Sequence, residues 1–224
     1  MKLYLLISIL MFLFILMGFG PDFYMSVMGG FHQSLMLHIH AIIFIGWFVL
    51  FAIQAILPAF GRLDLHIKLG QFAFFYAILV VANGLYVTLT TFQFRIGNVG
   101  EHLARYWLLQ PLTDMIVFPA LVSAAFYYRK KPEIHKRLML LATLVMTIVS
   151  LVRVTYIPMH GAKLVIWLAP IIIAMGYDYY TKKIIHPVYM FGLVLFTIIY
   201  CRKTWLFDTL IWTKFSTWLV VVVG

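Results

Sequence analysis

The sequence predicts an all-α integral membrane protein of about seven spanning helices, and three observations predict it. Of the 224 residues, 64% are hydrophobic and only 11% charged, against about 25% charged in a soluble domain. The apolar residues fall into seven runs, most of them near the ~20 residues that a spanning helix needs. None of these runs alternates with period two, so helix is the backbone solution that lipid leaves open. The lone cysteine, Cys201, excludes an internal disulfide framework. The net charge of +10 does not indicate a nucleic-acid partner. Lys and Arg stand in short clusters between apolar runs, where topology and lipid headgroups account for them.

In chain order, Leu3–Phe19 is the first span, read as uncleaved because a single Lys2 precedes it and no small-residue cleavage site follows. Gly20–Gln33 is an outer loop without Lys or Arg. Met36–Leu57 is the second span, ended by Pro58 and Gly61. His66–Thr90 is the third, Trp107–Tyr128 the fourth, and Leu138–Ile157 the fifth, stopped by Pro158. Val165–Tyr180 and Pro187–Tyr200 follow as the sixth and seventh. The tail, 204–224, carries Asp208 and Lys214 among Trp205, Trp212 and Trp218, which suits an interfacial helix better than an eighth span. The chain therefore reads as one transmembrane domain. Residues 1–35 form the first span and outer loop, 36–158 a four-helix core, and 159–224 the remaining spans and tail.

Orientation follows from the basic residues. With the amino terminus in the cytoplasm, the inner side receives ten of the 17 Lys and Arg, and the intensely basic segment YYRKKPEIHKR lies there. With seven spans, the positive-inside rule thus favours the amino terminus inside and the carboxyl terminus outside, with Arg202 and Lys203 on the outer side. The chain reads as a multi-pass inner (plasma) membrane protein.

Two inner loops match. RLDLHIKL (62–69) and KPEIHKRL (131–138) share the pattern basic-x-acidic-aliphatic-His-x-basic-Leu, 69 residues apart, so the second and third helices read as a parallel copy of the fourth and fifth. Pro132 suits a first helical turn, and Asp64 and Glu133 complement the positive end of the helix dipole. His66 and His135 then lie at headgroup depth, where Lys68, Lys136 and Arg137 snorkel. A structural or lipid-contacting role is the simpler reading of these histidines. A facing pair of metal or haem b ligands is the sharper one.

These motifs resemble those of a family of bacterial polytopic inner-membrane proteins without an assigned activity. The resemblance is carried by His40–Ala41 opening a span with Trp47, Phe51 and Gln54, and by the Gly61–Gly70 segment with its His66. It is also carried by an Asp-bearing span leading into HKRLMLLAT (135–143), with Arg153 near that helix's end. Covering residues 36–190, it implies a shared fold and polar site and no activity. A looser similarity to small membrane proteins of cytochrome oxidase assembly rests on the His-bearing helix starts alone.

Ionisable groups inside spans are costly and face the bundle interior, which makes them the default functional candidates. Asp114, seven residues into the fourth run from Trp107, lies roughly 10 Å below the outer edge. Arg153, five residues before Pro158, lies roughly 8 Å below it. Matched depth and opposite sign on consecutive helices predict an ion pair. Asn83, Gln110 and His40 fall at a similar level, so the expected ligand-binding set is His40, Asn83, Gln110, Asp114 and Arg153. A second set, His32, Met36, His38 and His40, offers the thioether and imidazole ligands that suit copper. His-x-His on a helix, however, turns its two rings about 200° apart.

Signatures of hydrolytic catalysis are missing: no nucleophile elbow, phosphate-cradling loop, His-x-x-x-His cluster or paired carboxylates occurs. The leading functional expectation is a membrane binding protein for haem, metal or a lipid-soluble molecule, linked to redox chemistry. A small transporter with Asp114 as proton carrier is the second, and an accessory subunit of a larger membrane complex the third. Each has the lipid bilayer as its first partner. A reporter fused after Lys131 should be active on the cytoplasmic side, and one between Gly29 and Gly30 on the opposite side. The reverse pattern would invert the topology.

Overall fold

The computed structural model describes residues 2–28, 34–154 and 160–223. Among these residues the chain is helical throughout, without strands. The helices are α1 (Lys2–Met28), α2 (Leu35–Ile56), α3 (Leu63–Val99), α4 (Glu101–Tyr127), α5 (Pro132–Val145), α6 (Ile148–Arg153), α7 (His160–Lys182), α8 (Pro187–Trp205) and α9 (Leu210–Val223). Six of the segments are long and apolar enough to cross a membrane, with α5 and α6 together making one. The count is seven if α8 and α9, bent by 79°, make another.

Local chemistry sets the boundaries. Pro58 begins a short 3-10 turn after α2, and Gly61 closes it with φ at +68°, a left-handed conformation that glycine adopts without strain. Pro132 and Pro187 occupy first turns, where a missing N–H costs nothing. His186 caps α8, its Nδ1 accepting from the Val188 N–H at 3.3 Å. Burial, and then Arg137, hold this imidazole below its ordinary range, so the cap contributes fully above about pH 6.5 and weakens as pH falls below it.

Packing is sequential in part. α3 lies against α2 and α4, and α4 against α5. The first helix crosses back to α2, α6 and α7, while α5 meets α7 and α8. The α5–α6 segment is the hub: 72% of its apolar window is buried, against 22–44% for the other spans. Leu140, Leu141, Leu144, Val145 and Leu151 are fully enclosed, together with Met11, Trp167, Ile171 and Phe196 from surrounding helices. Ile42, Phe75, Ile116 and Val194 point outward, as side chains facing lipid do.

Several sequence expectations change. Helix α1 continues through Gly20 and Pro21 to Met28, so most of the expected first outer loop is helix. α3 has 37 residues, about 55 Å of helix, which exceeds the ~30 Å hydrocarbon thickness and extends the third run at both ends. The fifth span is broken at Met146–Thr147, where i→i+3 bonds replace helical ones (Met146 N–H to Thr143 O 3.2 Å, Thr147 N–H to Leu144 O 3.0 Å). The Leu144 carbonyl is taken up by the Trp167 indole at 3.0 Å and the Thr147 hydroxyl at 2.8 Å. This meets the requirement that buried backbone in lipid be satisfied internally. The tail forms α9, at 14 residues too short for a span of its own. It seats Trp212 and Leu219 against Phe92 of α3 and Leu108 and Leu109 of α4.

Small residues allow close approach where no hydrophobic force drives helices together. Gly18 of α1 sits on the Ser150 backbone of α6, where a Cβ would collide. Gly97 on α3 has open space around it. Gly18→Ala should therefore destabilise the detergent-solubilised protein by about 1–3 kcal/mol, and Gly97→Ala should be neutral or slightly stabilising. Thermal unfolding of the two variants checks the contrast.

Candidate functional site

Two buried polar centres form, at different levels of the bundle. The first surrounds Asp114. Because α4 begins at Glu101, Asp114 sits at its midpoint, about 20 Å from either end. This places it deeper than the run measured from Trp107 implied. The side chain is 3% exposed, and both carboxyl oxygens accept from the Gln110 amide, at 2.9 and 3.0 Å.

The expected partner, Arg153, is not there. No ion pair joins Asp114 and Arg153. Arg153 ends α6 on the exposed side, its guanidinium 4.6 Å from the Phe19 ring centre and within electrostatic reach of Arg95. The cation acting on Asp114 is Arg202 of α8, which the sequence had placed in an outer loop because the apolar run ended at Tyr200. Arg202 is 3% exposed. One Nη donates to the Ile199 carbonyl, while Nε and the other Nη are buried with no acceptor. Such a group costs more than an ordinary orphan donor, because its charge is also desolvated.

His40 and Asn83 form a separate couple, with His40 Nδ1 donating to Asn83 Oδ1 at 2.8 Å. Gly84, the next residue, has its open side filled by Met115 and lies close to Phe44. The couple thus borders the α4 turn that carries Asp114, without a hydrogen bond between the two groups. Four of the five expected residues form two hydrogen-bonded pairs, and Arg153 is bonded to neither pair.

Of the expected copper set, the three described members are each hydrogen-bonded elsewhere. His32 lies outside the described residues. His38 is exposed and donates to the Ser34 carbonyl at 3.1 Å, Met36 accepts from the Thr90 hydroxyl at 3.2 Å, and His40 is committed to Asn83. The helical pitch explains the divergence of His38 and His40. Among the described residues no group of three or more His, Cys, Asp or Glu side chains converges as metal ligands.

The second centre is ionic, and the sequence reading missed most of it. Arg137, expected to snorkel, is 1% exposed. It donates to Glu133 Oε2 at 2.8 Å and to Asp178 of α7, and lies 5.0 Å from the Tyr189 ring centre. Glu133 also accepts from Lys136 at 2.6 Å and from Lys182 at 2.5 Å. The Tyr4 and Tyr189 hydroxyls meet at 3.0 Å beside it. An Asp inside the sixth apolar run was the available signal.

Compared with family models, curated proteins and solved structures, the chain has no match.

The geometry separates three kinds of charge. Arg137→Met should cost about 3–5 kcal/mol by stranding buried Asp178. Arg62→Gln, which removes the exposed pair with Asp64, should stay within about 1 kcal/mol. In double-mutant cycles read by thermal unfolding, Asp114 should couple to Arg202 and behave additively with Arg153.

Proposed function

We propose that the chain is a multi-pass inner-membrane protein that binds a small lipid-soluble molecule at mid-bundle, between α4 and α8. Asp114, Gln110 and Arg202 supply the polar contacts. The observation that carries this reading is Arg202: a buried guanidinium with two donors unmet, in electrostatic reach of a buried carboxyl held by a single amide. Buried unpaired charge in a membrane is expensive and marks functional positions. A ligand with a carbonyl, hydroxyl or carboxylate oxygen would satisfy Arg202, and a hydroxyl or amine on it would donate to Asp114. His40 and Asn83, next to Gly84 where Met115 packs, border the site without completing it.

A second reading takes Asp114 as a proton carrier in a small transporter. Its support is the same mid-helix position and a neutral donor, Gln110, which tolerates the carboxyl in either protonation state.

Native mass spectrometry of protein extracted from its own membranes tests the first reading. The wild type should carry a non-phospholipid molecule that Asp114→Asn and Arg202→Gln lose and Arg62→Gln keeps, all three remaining folded. Retention by both site variants, or a wild type carrying phospholipid alone, would sink it. Proton flux in liposomes, abolished by Asp114→Asn with no bound molecule detected, would favour the transporter.

A further inference from the structure

His66 and His135 occupy the same place in their helices, each the fourth residue and two after an acidic second residue. Each makes the same contact. His66 Nδ1 donates to the Gln54 carbonyl of α2 at 3.2 Å, and His135 Nδ1 donates to the Ala125 carbonyl of α4 at 2.8 Å. A carbonyl only accepts, so in both rings Nδ1 carries the proton and Nε2 of the neutral imidazole carries the lone pair. A backbone carbonyl on one ring nitrogen is how proteins orient a metal-binding histidine and raise its basicity. The two rings then stand 6.4 Å apart between centres and nearly perpendicular, at 88°. Both are half-buried where α3 and α5 begin. Gln54 closes a clasp on the same turn, its amide donating to the His66 carbonyl at 3.2 Å, while its Oε1 is buried without a donor.

We propose that His66 and His135 form a two-imidazole site for one copper(I) ion. Two neutral nitrogen ligands suffice for a linear monovalent ion, and metal–nitrogen bonds of about 2 Å each fit between rings at this separation. Divalent zinc or iron would require further ligands, and no third His, Cys, Asp or Glu converges here among the described residues. Gln54 Oε1 would serve as a secondary oxygen contact or as acceptor for a water beside the ion. The site lies where α3 and α5 begin, whereas Asp114 stands at the middle of α4, so it stands independently of the ligand proposed there.

Anaerobic titration of the purified full-length chain with copper(I), against a chromophoric copper(I) chelator, tests the assignment. The wild type should take up one equivalent. His66→Gln and His135→Gln should each weaken binding more than about tenfold, while His38→Gln leaves it unchanged. X-ray absorption of the copper-loaded wild type, which needs no variant to fold, should show two imidazole nitrogens and no sulfur. No stoichiometric uptake, uptake indifferent to both substitutions, or sulfur in the copper shell would each overturn the proposal.

Discussion

The structure depends first on one buried cation. Arg137 enters the bundle from the start of α5 and finds there both Glu133, on its own helix, and Asp178 on α7, with Tyr189 of α8 beneath its plane and Tyr4 of α1 beside that ring. Four helices thus share one charge cluster. With Arg137 and Asp178 themselves buried, such a cluster specifies position sharply, because a shifted helix would leave a bare charge. Apolar side chains alone cannot do this, since lipid solvates them as well as protein does. The enclosed core around Leu140, Leu144 and Trp167 continues from that anchor.

The two buried arginines make an informative contrast. Arg137 meets carboxylate oxygens through both of its terminal nitrogens, whereas Arg202 meets one main-chain carbonyl and leaves two donors open. Helix packing explains most of the first, which leaves only its Nε without an acceptor. It explains the second only in part, and the remaining hydrogen-bonding capacity distinguishes a binding position from a structural one.

Much of the helical architecture was legible because hydropathy over ~20 residues is a strong signal in a chain of mean hydropathy +1.01. The break at Met146–Thr147 was not, because neither glycine nor proline marks it, and Trp167, which takes up the freed Leu144 carbonyl, comes from another helix. Asp114 was legible as a candidate, but its partner was not. Ranking depth from Trp107 ignored the turns of α4 before it, and ending the seventh run at Tyr200 removed Arg202 from the search. Asp178 went unused inside a run counted only for its apolar residues. The repeated His66 and His135 motifs were plain in the sequence. Their mutual approach required knowing how α3 and α5 lie.

The break in the hub segment divides responsibility between two short rods. α5 keeps register with α4, and α6 keeps register with α1 through Gly18 and Ser150. Residues on a continuous helix rotate about 100° with each insertion, so a continuous hub would force every neighbour to change face together. The short-range bonds at Met146 and Thr147 interrupt that mechanical linkage. A change of phase within α6 can therefore be absorbed there, leaving Arg137 of α5 with its own phase intact. A discontinuity in the most enclosed segment thus lets α5 and α6 each take the rotation its own neighbours require while keeping one shared core.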